Sequence, residues 1–561
     1  MSDTPAPSTN ESSIASGKYR WAQSGDINAF FGLMLDNIAG LILMVGLLSG
    51  FGFPTDFAVT RMVPGTALGV MLGDLAFFFL AFRLAKKTGR NDVTAMPLGL
   101  DTPSTFGMTI FILGPSYLQG LNLLGLSELE AATRTWGIGI WCIVLSGALK
   151  LILAPFSNWV RNNVPRAGLL GSLAAIALVL ISFLPLMEIL GHPLPGMLAL
   201  VIVLTALIGR IPLPKKTPGT LGALIVSGCV FYLLGFIPDS GYDLPDLSEE
   251  IYWFPKQWME TWQWGWLNYL EDSLVYLPIA FPFAIGTVVG GIDCTESAAA
   301  AGDTYDTRTV VGIEAIATLA AGFSGGVIQT TPYIGHPAYK AMGGRAAYTL
   351  ATAVLIGSAG LVGYFAFLNA LIPAPAVYPI LVFIGLEITA QSFLATPKKH
   401  YPAVAFACLP ALAFLATNLP GRILSDPALG DISYAALDSS LQKDLQTLGM
   451  LSNGFVLTSL LWAWALAMII DRRLSKAALV FFVSATLTMF GFIHSPLPGS
   501  KIFLPFGADS WSSIVLAPEY RWQVLEFALA YVACGALLYG WSRFHPSEDK
   551  VGEIMDNEAH L

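Results

Sequence analysis

Charged side chains are scarce in this sequence. Asp, Glu, Lys and Arg make up 12% of its 561 residues, whereas hydrophobic residues make up 55% and the mean hydropathy is +0.64. An ordinary soluble domain carries about 25% charged residues, so the composition excludes that class and indicates a polytopic membrane protein. Nothing basic or aromatic is patterned for nucleic acid.

Cysteine is also rare, and its spacing matters more than its number. The five cysteines are scattered, with no CxxC pair and no metal-ligand spacing. They predict small apolar side chains rather than a disulfide or a metal site. We find no HExxH, no GxSxG elbow and no cofactor motif, so we expect neither an enzyme nor a bound cofactor. The first twenty residues, "MSDTPAPSTNESSIASGKYR", lack the pattern of a cleaved signal peptide.

Apolar runs recur along nearly the whole chain. A helix of about 20 apolar residues crosses a ~30 Å hydrocarbon layer. By this criterion the sequence predicts about sixteen spans. They lie near 27–49, 59–85, 93–118, 135–155, 166–188, 195–211, 218–237, 274–300, 308–326, 327–345, 347–371, 375–396, 401–418, 452–471, 475–494 and 523–542.

Lys and Arg predict the orientation, because they collect in short cytoplasmic loops. The basic stretches "RLAKKTGR", "NWVRNNVPR", "GRIPLPKK", "TPKKH" and "DRRLSK" all fall between even and odd spans. The opposite loop, 239–272, is acidic, and its "IYWFPKQWMETWQWGWLNY" is typical of a segment at the outer interface. We therefore expect a multi-pass protein of the cell membrane with both termini in the cytoplasm.

Two apolar segments are interrupted in a similar way. "TAMPLGLDTPS", Thr94 to Ser104, and "QTTPYIGHPAYKAMGGRAAYT", Gln329 to Thr349, each combine prolines, glycines and polar residues. Paired interruptions in two halves of a chain point to an inverted-repeat transporter. Each segment would be part strand and part half-helix, with free backbone groups and the helix N-terminus at a polar site. The alternative is that the prolines only kink two packed helices.

Polar residues inside the predicted spans are candidates for the transport site. Asp293 and Glu296, in "GGIDCTESAAAAGD", lie three residues apart on one helical face, an arrangement that suits substrate binding and proton carriage. Asp36 and Asn37 either line the same cavity or tie the first span to the eighth. His336 is the one histidine predicted at membrane depth. For each of these, capping or structural pairing is the alternative.

The motifs "DVTAMPLGLDTPS", "TESAAAAGD" and "QTTPYIGHPAYKAMGGRAAYT" resemble those of the xanthine/uracil/vitamin C permeases. That family belongs to the nucleobase–ascorbate transporter superfamily, and the closest branch is that of the adenine/guanine/hypoxanthine permeases. The resemblance implies two inverted repeats of seven spans, divided into a core domain and a gate domain. It also implies proton-coupled uptake by an elevator-like core movement, often in a homodimer.

The resemblance also implies boundaries along the chain. The core halves would be 27–155 and 274–371, and the gate halves 156–237 and 372–471. An outer loop, 238–273, would join the repeats, and two extra C-terminal spans, 472–542, would follow them. The cytoplasmic tails would be 1–26 and 543–561.

The resemblance further implies a binding site. Its acid in the eighth span matches Glu296 or Asp293, its polar residue in the third span matches Asp101, and its position in the tenth span matches Gly335 or His336. The family's acid or amide is missing at that last position, which favours a more acidic substrate. We expect Glu296→Gln to insert normally and to lose coupled uptake.

The leading hypothesis is therefore a proton-coupled permease for a nucleobase such as xanthine, uracil or a purine. The alternative is a carrier of anions or small carboxylates with the same fold, as in sulfate and bicarbonate carriers. A channel or an intramembrane enzyme is the least favoured class, because the two-halves pattern argues against a ring of pore-lining residues.

Overall fold

The structure is a computed structural model. It describes residues 19–214, 217–238, 240–242, 244, 253–333, 335–424, 437–497, 502–503 and 518–544. Most of the predicted N-terminal tail, the predicted C-terminal tail from residue 545 and the acidic residues 245–252 of the outer loop lie outside these ranges.

The described chain is almost entirely helical. Its first half contains α1 (Gly25–Ser49), α2 (Thr55–Phe57), α3 (Val63–Thr88), α4 (Thr102–Gly107), α5 (Gly114–Asn122), α6 (Glu128–Leu153), α7 (Ser157–Asn163), α8 (Arg166–Ile176), α9 (Leu184–Gly191), α10 (Pro193–Val203), α11 (Gly219–Gly235) and α12 (Leu270–Leu274). The second half contains α13 (Leu277–Ala300), α14 (Thr307–Phe323), α15 (His336–Ala341), α16 (Ala347–Val362), α17 (Phe365–Leu371), α18 (Ala374–Val377), α19 (Pro379–Leu394), α20 (Tyr401–Leu424), α21 (Ser439–Ser452), α22 (Phe455–Ile470), α23 (Leu474–Met489) and α24 (Pro518–Ser542).

Fewer helices than predicted are long enough to cross a membrane. Among the described residues, eight helices pass a test of length and apolarity, or ten if two bent pairs each count as one span. Three further apolar helices, 193–208, 219–235 and 474–489, are shorter than such a span. The predicted segments 93–118 and 327–345 fail for another reason, because each begins with extended backbone rather than helix.

Those two segments contain the only strands among the described residues. Strand β1 (Leu98–Leu100) pairs antiparallel with β2 (Thr330–Pro332), and Gly99 lies opposite Thr331. The pairing continues beyond the strands, because the Tyr333 N–H donates to the Pro97 carbonyl at 2.8 Å. The predicted short extended segments are therefore present, and the alternative of two simply kinked helices is wrong.

Short helices follow both strands. Asp101 follows β1 and caps the N-terminus of α4. Its carboxylate accepts a hydrogen bond from the Ser104 N–H at 2.7 Å. Gly335 is the capping residue of α15, and a proline lies in the first turn of each helix. Proline suits that turn because its missing N–H would have no helical partner there. Helix α4 continues through a π-helical stretch, Met108–Leu113, into α5.

The helices form two packed groups. We call the first the strand-bearing group; it comprises α1–α6 and α12–α17 with the two strands. Within it, α3 packs along α14 and α16, and α6 packs along α13 and α14. Backbones approach closely here: a Cβ atom on Gly65 would lie 2.1 Å from the Ser324 carbonyl oxygen. Small residues permit such contacts between membrane helices.

We call the second the strand-free group; it comprises α8–α11 and α18–α22. Helix α8 packs against α20 and α22, and α10 packs against α11. The short helix α7 connects the two groups. The predicted extra hairpin is formed by α23 and α24, which pack on each other, with α23 also lying against α22.

The Trp-rich part of the predicted outer loop packs on the strand-bearing group. It forms two 3₁₀ helices, Lys256–Gln263 and Gly265–Tyr269. Trp258 donates its indole N–H to the Ser324 carbonyl at 2.5 Å, and Arg61 forms an ion pair with Glu260 at 2.9 Å. These two contacts hold the Trp-rich segment on the strand-bearing group.

Candidate functional site

A cavity of about 770 Å³ opens between the two helix groups. The strand-bearing group lines it with the start of α1, the end of α13 and helix α15, and the strand-free group lines it with α19 and the connection before α11. The basic-loop pattern predicts that this end of the molecule is cytoplasmic. The polar lining residues are Asn28, Arg210, Thr217, Ser297, Glu387 and Gln391.

Helix α1 supports β1 through the predicted pair Asp36 and Asn37. The Asn37 amide donates to the Leu98 carbonyl at 3.4 Å and to the Leu33 carbonyl at 3.0 Å. Asp36 lies beside the strand, since a Cβ on Gly99 would be 3.4 Å from its carboxylate. Both side chains are buried. The structure therefore brings the first span to the strand pair.

Asp293 is the most exceptional of the predicted acids. Its side chain is fully buried, and neither carboxylate oxygen has a hydrogen-bond partner among the described residues. An ionised carboxylate costs several kcal/mol in such surroundings, so the group requires a proton or an incoming partner. Two other buried polar atoms of this region, Gln329 Nε2 and Tyr333 Oη, also have no partner in the described chain.

Glu296 has a different environment, although it lies on the same helix. Its carboxylate forms ion pairs with Arg161 at 2.8 Å and with Arg166 at 2.5 Å. Arg161 belongs to the connecting helix α7 and Arg166 to α8 of the strand-free group. The structure thus places Glu296 in a bridge between the helix groups.

His336 does not extend toward the strand pair. Its Nε2 atom lies 3.1 Å from the Thr94 carbonyl oxygen and 3.2 Å from Asp303 Oδ2. Asp303 also contacts Lys340 at 2.6 Å and Arg90 at 3.1 Å. Burial alone would raise the pKa of Asp303, but hydrogen bonds and charge from His336, with Lys340, outweigh it and lower the pKa to about 2. His336 therefore belongs to an ionic cluster at the α13–α14 connection.

One buried ion pair was not predicted from the sequence. Lys150 of α6 lies 2.9 Å from Glu314 of α14, and neither side chain is exposed. Lys150 also donates to the Thr330 carbonyl of β2 at 3.1 Å. Opposite charges within two predicted spans, 135–155 and 308–326, were the signal that could have revealed this pair.

The described residues contain no group of three His, Cys, Asp or Glu side chains placed to hold a metal ion.

Comparison with known proteins finds similar solved structures but no match by sequence. No family model and no curated protein matches the chain. Among solved structures, it is similar to the transmembrane domain of a cyanobacterial bicarbonate transporter, BicA, at 14% identity and a TM-score of 0.39. That match covers 78% of this chain and 97% of the other. It is also similar to SLC26A9, at 12% identity and a TM-score of 0.42, covering 70% of this chain and 61% of the other.

These findings correct the expected family. The two structures named above are those of a bicarbonate transporter and of SLC26A9 rather than of a xanthine/uracil permease, and no sequence model of that family matches. The motif resemblance was therefore wrong as a family assignment. Short Pro- and Gly-rich interruptions identify a broken-helix architecture, which different substrate classes share. The chain is a mostly helical, multi-pass membrane protein.

Proposed function

We propose that this protein is a secondary transporter of a small anion of the sulfate or bicarbonate kind. The observation that carries the proposal is the cavity between the strand-bearing and strand-free groups, which is lined by α15 directly after β2. Binding sites of broken-helix transporters lie where such segments leave backbone groups free. The volume of the cavity suits a small solute.

The lining contains one cation, one carboxylate and several neutral polar groups. Arg210 contributes a guanidinium, and Asn28, Thr217 and Gln391 contribute neutral polar groups. The lining carboxylate, Glu387, accepts a hydrogen bond from the Gln391 amide at 2.8 Å. An anion can therefore enter beside a cation and several hydrogen-bond donors.

The strand pair is the proposed inner end of the site. Asp101 caps α4 there, Gly335 begins α15, and Asp36 and Asn37 hold β1 from behind. An anion could not occupy this place beside an ionised, unpaired Asp293 without strong repulsion. We therefore propose that Asp293 carries a proton while the anion is bound, which couples anion and proton transport. Glu296 is less suited to this role because two arginines already neutralise it.

Transport would follow from movement of the strand-bearing group against the strand-free group. In this proposal the two groups correspond to the core and gate domains of an inverted-repeat carrier. The antiparallel strands, each followed by a short helix, support a two-fold related pair of half-sites.

Ligand-dependent stability tests the substrate class. Purified protein would be heated with sulfate, bicarbonate, chloride, small carboxylates or xanthine at constant ionic strength and at neutral and acidic pH. A ligand that binds the folded protein must raise its apparent stability. We expect stabilisation by sulfate or bicarbonate at neutral pH, and stronger stabilisation by sulfate at acidic pH, where bicarbonate is converted to CO2. Stabilisation by none of the anions would contradict the proposal.

A further inference from the structure

We propose that the buried Lys150–Glu314 pair sets the anion selectivity of the site, with Lys150 attracting the anion and Glu314 limiting that attraction. The inference rests on the proposed function and assigns roles to two residues outside the cavity lining. Both act from behind the strand pair rather than by direct contact, so they are positioning and specificity-determining residues.

The geometry places the ammonium of Lys150 at the back of β2. Its Nζ atom donates to the Thr330 carbonyl at 3.1 Å and lies 3.3 Å from Thr318 Oγ1. Thr330 is paired with Leu100 of β1, and Asp101 follows immediately. The charge of Lys150 also acts on the Asp101 carboxylate. One buried cation is thus connected to both strands.

Glu314 moderates this charge from the other side. It lies 2.9 Å from Lys150, and a Cβ on Gly291 would be 2.5 Å from its carboxylate, so α13 carries glycine where Glu314 fits. Water does not reach either side chain, since both are 0% exposed. Electrostatic forces are screened far less in such a place than at a surface. The pair is therefore close to neutral as a whole but polarised toward β2.

An ion pair is a costly way to stabilise a membrane core. Two apolar side chains of similar volume would often serve stability as well, because burying charges requires removing their water. The charge of Lys150 also has an effect beyond stability, because its hydrogen bond to the Thr330 carbonyl polarises the backbone of β2, which reaches the proposed site. The first strand is held differently, by the Asp74 carboxylate accepting from the Leu98 N–H at 3.0 Å. Only β2 has a cation behind it among the described residues.

The proposal predicts opposite effects for the two partners. Lys150→Met removes the attraction and should weaken sulfate binding roughly tenfold. Glu314→Gln leaves Lys150 without its counter-charge and should strengthen sulfate binding several-fold, while lowering the stability of the ligand-free protein. Sulfate should restore much of that stability in Glu314→Gln. Lys150→Arg keeps the charge and should bind sulfate more tightly than Lys150→Met does.

Sulfate binding to the purified full-length chain, measured calorimetrically with chloride as a second probe, tests this. The double variant Lys150→Met/Glu314→Gln removes both charges, and we expect it to remain folded and to bind sulfate more weakly than the wild type but less weakly than Lys150→Met, which keeps the opposing carboxylate. Equal loss of binding in Lys150→Met and Glu314→Gln, or unchanged binding in both, overturns the inference while leaving the proposed function intact. If the single variants do not fold, the double variant decides: wild-type sulfate affinity in it overturns the inference. A wild-type protein that binds neither sulfate nor bicarbonate overturns both proposals.

Discussion

Arg166 Nη2 lies 2.5 Å from Glu296 Oε1, and this contact joins the two helix groups. Arg166 begins α8 of the strand-free group, whereas Glu296 is near the end of α13 in the strand-bearing group. Arg161 of the connecting helix binds the same carboxylate at 2.8 Å. Any movement of one group against the other must stretch or break this contact, so the three residues should bias which arrangement is populated.

Glu296→Gln should therefore shift the balance between arrangements. Arg166 is 51% exposed, so its contact with Glu296 is worth about 1 kcal/mol at most, a shift of about fivefold. The measurement is the alkylation rate of a cysteine placed at Ala338 in the cavity, with exposed Cys229 and Cys534 changed to serine. We expect slower alkylation in Glu296→Gln, because the cavity-open arrangement loses a contact.

Glu128→Gln, an exposed acid at the start of α6, provides the control and should leave the alkylation rate unchanged. Unaltered alkylation in Glu296→Gln together with complete loss of proton-coupled uptake would instead support the proton-carrying role that the sequence predicts for Glu296.

Gly65→Ala should disrupt the packing of α3 on the turn after α14. The added methyl group would lie 2.1 Å from the Ser324 carbonyl oxygen and 2.3 Å from the Gly326 nitrogen, and neither backbone atom can move away easily. We expect a loss of about 1–3 kcal/mol. Thermal unfolding in detergent, compared with Gly46→Ala, is the measurement.

Gly46 is a suitable control because a Cβ there meets no atom within 4 Å. The alanine should leave stability equal or slightly raise it, since glycine is the weaker helix former. Equal stability of Gly65→Ala and Gly46→Ala would show that the close approach of α3 is not required.

Asp303→Asn should destabilise the cluster that holds α15. The lowered pKa of about 2, against an ordinary 3.8, means that the folded state favours the ionised form. The corresponding contribution at neutral pH is about 2 kcal/mol. Because the folded-state pKa is depressed, this stabilisation is present above pH 3.8 and is lost as the pH falls through about 2.

Unfolding measured between neutral and strongly acidic pH checks that the stabilisation by Asp303 decreases as the pH falls. The difference between wild type and Asp303→Asn should persist at neutral pH and shrink as the pH approaches 2. Asp92→Asn, at a half-exposed carboxyl whose pKa Arg90 lowers through a hydrogen bond, should cost less than about 1 kcal/mol. Equal effects of the two variants would rule out a special role for Asp303.

Arg210→Gln should weaken anion binding without unfolding the protein. Arg210 lines the cavity and is exposed, so its loss removes charge from the entrance rather than from the packed interior. We expect the apparent KM for sulfate to rise about threefold, with a smaller effect at high salt because exposed charges are screened. Lys86→Gln, an exposed lysine at the end of α3, should leave the KM unchanged. A KM insensitive to Arg210→Gln at low salt would remove Arg210 from the substrate path.

Much of the local architecture around the strands could be predicted from sequence. Proline and glycine at 97–103 and 332–337 disfavour continuous helix, and an Asp two residues before Pro103 is a typical helix cap, as Asp101 proves to be. Such signals depend on neighbours in the chain, so one sequence contains them. The number of membrane-spanning helices was harder to predict from the sequence, because apolar runs also occur in helices too short to cross a membrane.

The directions of side chains could not be predicted in the same way. His336 begins α15 beside the strand pair, but its ring lies against Thr94 and Asp303. Thr94 is 242 residues away in the sequence, and Asp303 is in the connection between α13 and α14. The basic residues Arg161 and Arg166 served as a sign of cytoplasmic loops, yet their partner is Glu296 more than a hundred residues later. These contacts depend on how helices pack, which a helical period does not specify.

Anion uptake by proteoliposomes is the most direct test of the proposal that the protein carries a small anion together with a proton at Asp293. Vesicles containing the purified protein would be supplied with radiolabelled sulfate, with and without an inward proton gradient, or with radiolabelled bicarbonate at one mildly alkaline pH on both sides, beside vesicles containing Asp293→Asn. We expect saturable uptake by the wild type, and we expect the proton gradient to accelerate sulfate uptake in the wild type but not in Asp293→Asn. Absence of saturable anion uptake by the wild type, under conditions in which the protein is folded and inserted, would contradict the proposal.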